Sequence, residues 1–184
     1  TAQIAANAVA NNLDGMAILG GQALGLATIT VVGQCVGAGD YAQARRYNRK
    51  LMLISWLLIA ASVAAILASL PLLLNLYNIS DEARVLSAQL VRLHNIPAVA
   101  LWCLSFTLPN TLRAAGDARF TMVVSIVSMA VFRIGFSVVL GIWMGLGAIG
   151  VWIAMDIDWV CRVICFVARY FSGAWTRKYQ NYQA

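Results

Sequence analysis

Charge is scarce in this sequence. Lys and Arg number 13 and Asp and Glu 7, together 11% of the 184 residues, where an ordinary soluble domain carries about 25%. A globule built from this composition would lack the polar surface that keeps it in water. Between Leu51 and Ser80 there is no Asp, Glu, Lys, Arg or His at all, a run longer than the roughly 20 apolar residues a helix needs to cross a bilayer. Histidine occurs once and proline three times, and the four cysteines, Cys35, Cys103, Cys161 and Cys165, form no Cys-x-x-Cys. A metal centre therefore lacks its ligand cluster, and the cysteines read as small packing residues in or beside apolar segments. Thr1 to Asn12 has no basic stretch followed by an apolar one, so no signal peptide is visible. The net charge of +6 does not point to nucleic acid. A nucleic-acid footprint needs its basic residues on one solvated face, and here they fall at the ends of apolar runs.

What is present is 61% hydrophobic sequence with a mean hydropathy of +0.78. Uncharged stretches bounded by charge or Gly/Pro clusters predict five helices, over Ile4 to Val36, Asn48 to Leu76, Glu82 to Leu112, Phe120 to Gly141 and Leu146 to Tyr170. The fold class is all-α integral membrane, with residues 1–171 holding the spans and 172–184 forming a tail. In the first span Asn7, Asn11, Asn12 and Asp14 place the N-terminal turns at an interface or along a cavity, and Gly20, Gly21 and Gly25 offer close helix packing or a bend. The loops alternate in charge. Arg45, Arg46, Arg49, Lys50, Arg113, Arg119, Arg169, Arg177 and Lys178 share three of them, nine of the 13 basic residues. The positive-inside rule makes that side cytoplasmic, so the C-terminus is inside and the first span begins outside. The sequence also opens without Met, on Thr1, inside what reads as helix. That is expected of a piece of a longer protein.

Two of the spans end alike, in Ala38-Gly39-Asp40 and Ala115-Gly116-Asp117. Glycine can close a helix in the left-handed conformation and aspartate can cap the next one; Asp40 with Gln43 has capping-box spacing. The likeness is either two similar turns or a weak internal repeat.

Three motifs carry a resemblance. Val32-Gly33-Gln34-Cys35-Val36-Gly37-Ala38-Gly39-Asp40 with Ala44-Arg45-Arg46 resembles the signature that follows the second helix of each six-helix lobe in multidrug and toxic compound extrusion (MATE) transporters. Leu112 to Phe120 is similar to that family's loop after its fourth helix, and Ile157-Asp158-Trp159 through Arg162 to Trp175 resembles the end of bacterial members. The resemblance implies the C-terminal lobe, helices eight to twelve of twelve, whose partner is an N-terminal lobe outside this sequence. It implies export of amphipathic, often cationic, compounds across the plasma membrane, driven by inward sodium ions or protons without ATP or any cofactor. No Gly-x-x-x-x-Gly-Lys-Ser/Thr phosphate loop is present. Two other readings stay open: a flippase for lipid-linked sugars from the same superfamily, kept alive by Arg92, Arg133 and Arg162, and a non-transporting membrane subunit. An intramembrane enzyme would need a clustered nucleophile or metal constellation, and neither is apparent.

Ionisable groups within the bilayer are costly and usually face protein or a water-filled cavity. Arg133 lies too deep for easy snorkelling, so it either bonds helix-end carbonyls or a carboxylate, or lines a cavity. Asp158 and Arg162, four apart with the acid first, suit a structural pair on one helix face. Asp156 lies on another face with no basic residue three or four positions away, which makes it the better candidate for a proton or cation carboxylate. His94 and Asn95 precede Pro97, which frees a carbonyl; the histidine is a packing residue or a titrating group. Asp14 is expected near the outer surface and solvated; Gln22 and Gln34 are expected to bond helix to helix before they touch substrate, and Gln34 stands with Asp156, Asp158, Arg133, His94 and Asn95 as a candidate for the substrate or ion pathway. Trp56, Trp102, Trp143, Trp152 and Trp159 either stack on a flat cation or, the preferred reading, face lipid or form an interfacial belt. In the resembling family the coupling acids lie on helices one, seven and ten. The matching span here, Glu82 to Leu112, has no carboxylate in its interior, which leaves room for the coupling acid to lie outside this sequence.

Overall fold

The computed structural model describes residues 2–175. Of the expected tail at 172–184, residues 176–184, with Arg177 and Lys178, lie outside the described residues. Five long helices run alternately up and down: α1 (Ala2–Gly37), α2 (Tyr41–Leu76), α3 (Asp81–Ala114), α4 (Ala118–Trp143) and α5 (Gly147–Phe171). The first four are long and apolar enough to cross a membrane, and α5 carries Asp156, Asp158 and Arg162 within its length. Helix α2 starts at Tyr41, seven residues before the expected Asn48, because capping and not hydropathy decides where it begins. The Asp40 carboxylate accepts from the Gln43 amide at 2.8 Å, and the four basic residues then ride on helix, not loop. Helix α3 continues through Pro97 and widens into a π-helical turn at Cys103–Thr107. Two such turns, Met129–Gly135 and Val138–Trp143, occupy the second half of α4.

The two Ala-Gly-Asp turns are the same object. Gly39 and Gly116 have φ of 76° and 81°, in the region that glycine enters without steric penalty. The Asp40 and Asp117 amides reach back to the carbonyls of Cys35 and Leu112 at 3.0 and 2.9 Å, the six-to-one bond of a Schellman motif. The aspartates then differ. Asp117 does not cap its helix; its carboxylate accepts from Arg169 Nε at 2.7 Å and ties this turn to the end of α5.

The bundle is inside-out relative to a soluble protein. Leu19, Leu57, Leu72, Ile126 and Ile142 are exposed, while buried polar side chains bond between helices. Ser87 donates to the Ala6 carbonyl, Asn110 to the Gly25 carbonyl at 2.9 Å, and Thr111 to Asn48 at 2.6 Å. The α1 glycines serve packing: a Cβ on Gly21 would come within 2.5 Å of Ile59 and 2.6 Å of Trp102. Gly150 is tighter still, because its neighbours at 2.6 and 2.7 Å are the backbone of Leu140 and Gly141. A methyl there cannot be relieved by turning a side chain. Gly150→Ala is expected to push α4 from α5 and destabilise the protein by about 1–3 kcal/mol, read as a lowered melting temperature in detergent; unchanged melting would show that the helices slide apart without cost.

Candidate functional site

Three helices that start at the same end of the bundle bring Asp14, His94 and Asp156 together. At 1.5 Å per residue the three lie about 18, 20 and 14 Å into α1, α3 and α5. His94 is completely buried. Its Nδ1 is 2.7 Å from Asp156 Oδ1, hydrogen-bond distance, and the ring donates from Nδ1 when that carboxylate carries no proton. In the neutral ring that leaves a lone pair on Nε2, which faces Asp14 Oδ1 at 3.8 Å. Neither Nε2 nor that Oδ1 has a hydrogen-bond partner among the described residues. The ring nitrogen and the carboxylate oxygen face each other across this gap with nothing bonded between them among the described residues.

Aromatic rings hold the imidazole. Trp152 meets it edge-on at 5.0 Å and Trp159 lies at 4.5 Å; the Trp152 indole donates to Asn7 at 2.8 Å, which fixes α5 against α1. From Trp159 the rings continue through Phe106 to Trp102, each step 5.3 Å between centroids. These three rings, with Asp14, Gln22, Asn110, Arg113 and Arg133, line a cavity of about 510 Å³. The carboxylate of Asp14 thus faces a space walled on one side by aromatic faces, which attract cations through their quadrupole. Arg133 also lines a second, more apolar cavity of about 860 Å³ between α1, α4 and α5. Its guanidinium makes no hydrogen bond or ion pair among the described residues, while its backbone carbonyl accepts from the Ser137 hydroxyl.

Several expectations are corrected by this geometry. Asp14 is buried and not solvated, since α3 and α5 cover the N-terminal half of α1. Asp156 has no basic residue three or four positions away on α5, as expected, and meets His94 of α3 instead. Trp102, Trp152 and Trp159 are buried and not in a belt, whereas Trp143, 78% exposed at the end of α4, keeps the belt position. Gln34 is exposed on α1 and its side chain bonds to no other helix among the described residues; Gln22 lines the cavity instead. Arg92 points outward. Asn95 is buried next to His94 in sequence, and neither atom of its amide finds a partner among the described residues. Arg133 is among the lining residues of both cavities. Asp158 and Arg162 do pair, Nη2 to Oδ2 at 2.9 Å, deep between α4 and α5.

A protein-family model described as MatE matches residues 1–139. The chain belongs to the MatE family. The match covers α1 to α3 and nearly all of α4, so this MatE chain is multi-pass membrane protein. It is 27% identical over 169 residues to an "Uncharacterized transporter YisQ" of Bacillus subtilis (strain 168), covering 91% of this chain and 36% of that protein. It is also 23% identical over 158 residues to "Multidrug and toxin extrusion protein 1" of Oryctolagus cuniculus, covering 86% of this chain and 28% of the relative. The MatE chain therefore spans about a third of the length of the curated relatives it matches. No solved structure gives a match.

Proposed function

We propose that this MatE chain forms the C-terminal lobe of a secondary transporter that expels amphipathic cations in exchange for protons, with His94, Asp14 and Asp156 as the coupling group. The observation that carries this reading is one buried imidazole set between two carboxylates, one of which faces an aromatic-walled cavity. A proton entering the gap between Nε2 and Asp14 cancels the charge that holds a cationic substrate, and its departure restores that charge. Proton and substrate then compete for Asp14, which is what an exchanger requires. A sodium ion is less well served: its sites in transporters are built from oxygens, whereas here one wall of the gap is a ring nitrogen. The end of the bundle bearing Gly39 and Gly116 faces the cytoplasm of the cell, by its basic residues, and an N-terminal lobe completes the pathway.

Ethidium-type dye efflux from cells expressing the full-length gene tests this. Efflux is expected to stop when the proton gradient is collapsed and to persist in sodium-free buffer; persistence with both gradients removed rejects the antiport reading. A second reading, a flippase for lipid-linked sugars, draws on Arg133 between the two cavities, a placement that suits a phosphate. Dye efflux that survives in Arg133→Gln while a lipid-linked sugar ceases to cross would favour it.

A further inference from the structure

We infer that the cytoplasmic ends of α2, α3 and α5 form a binding site for an anionic phospholipid, separate from the His94 cluster. A third cavity, of about 600 Å³, opens between these three helices and shares no lining residue with the cavity at Asp14. Its mouth is basic and its interior apolar. Arg45 and Arg49 are one helical turn apart on α2, so they project on the same face, and both line the mouth. Neither is ion-paired with a carboxylate among the described residues. Arg45 is not loose: its guanidinium lies 5.7 Å above the Trp175 indole, which stacks at 11° on Tyr170. Tyr170 in turn accepts from Asn48 at 3.1 Å, and Asn48 accepts from Thr111, so the polar floor at this level is already satisfied.

Depth decides what fits. Arg45 and Arg49 lie about 6 and 12 Å along α2 from Tyr41, whereas Met52 and Trp56 lie about 17 and 22 Å along it. Leu104, Leu108 and Val167 continue the wall on the other helices. A ligand that satisfies all of this has an anionic head at the level of the arginines and a hydrocarbon chain that follows the wall toward the bilayer interior. Basic pockets between transmembrane helices hold anionic lipid head groups in this way, and the forked guanidinium suits phosphate oxygens better than an ammonium does. A soluble anion would use only the mouth, and an uncharged lipid only the wall.

The same helix supplies its own control. Arg46 and Lys50 belong to the same basic run and remove the same charge when neutralised, yet neither lines the cavity. The test is native mass spectrometry of the full-length protein taken from vesicles of equal phosphatidylglycerol and phosphatidylcholine. The wild type is expected to retain phosphatidylglycerol selectively. Arg45→Gln/Arg49→Gln should lose that retention roughly twentyfold, from two arginines at the membrane surface, while Arg46→Gln/Lys50→Gln stays within about twofold. Leu53→Trp, placed at an exposed residue on the cavity wall, should lower retention with the arginines intact. Monodisperse elution of each variant guards against misfolding. Equal losses in the two charge-neutralised variants, equal retention of phosphatidylcholine, or displacement by inorganic phosphate with no effect of Leu53→Trp would each overturn the lipid site.

Discussion

His94→Gln is expected to reduce proton-driven efflux by the full-length transporter at least about a hundredfold, the lower range of what a positioned proton-transfer group contributes. Glutamine keeps a side-chain amide within reach of Asp156 and fills much of the ring's volume, so the packing against Trp152 and Trp159 survives better than with alanine. What it removes is the second nitrogen, and with it the ability to bind a proton opposite Asp14. With no ring nitrogen left opposite Asp14 to take up a proton, the pH dependence of efflux should flatten in the variant. Dye binding to the purified protein should remain, because the Asp14 carboxylate and the aromatic wall are untouched. Asp14→Asn should do the reverse and weaken dye binding along with transport, since it removes the charge shared by proton and substrate. Asp156→Asn, which acts through the orientation of the ring, should fall between the two. Wild-type efflux with an unchanged pH profile in His94→Gln would place the coupling group elsewhere.

The helices were legible because the signals that make them are local. Leu51 to Ser80 without a charge is a span by length alone, and the Gly-Asp pairs after Gly37 and Ala114 closed helices where glycine at positive φ and a backbone amide are all the turn requires. Asp158 and Arg162 were legible as a pair for the same reason, four residues on one helix. The cluster at His94 was not, because its partners lie on three different helices and Asp156 is 62 positions from the histidine. One signal did exist. Asp14, His94 and Asp156 sit at similar depths in three helices that run in the same direction, and three polar groups at one depth in a bilayer have every energetic reason to meet. Trp152 departs from the belt for a related reason: a belt position minimises the cost of the indole N–H in lipid, but Trp152 meets that cost by donating to Asn7, which frees its ring to be buried. Gln34 shows the converse, a polar residue on an apolar helix that finds no helix to face.

Removing one member of the Asp158–Arg162 pair is expected to damage the protein more than removing both. Asp158 is completely buried, Arg162 nearly so, and the two are joined by two contacts, Nε to Oδ1 at 3.0 Å and Nη2 to Oδ2 at 2.9 Å. The Ser128 hydroxyl of α4 adds a bond to the same carboxylate, and the guanidinium lies 5.8 Å from the Phe106 ring. Each charge is tolerated because the other is there. Breaking such a pair costs about 3–5 kcal/mol, because the survivor is left buried and uncompensated, whereas replacing both with apolar side chains of similar volume is close to neutral. Asp158→Leu and Arg162→Met should therefore each lower the melting temperature and the yield of folded protein, and the double variant should recover most of both. The cycle separates compensation from two independent roles, since independent losses would add. Neither residue lines any of the three cavities, so the double variant, once folded, should export dye at close to the wild-type rate. Full stability with lost efflux would instead put Asp158 and Arg162 in the ion pathway alongside His94.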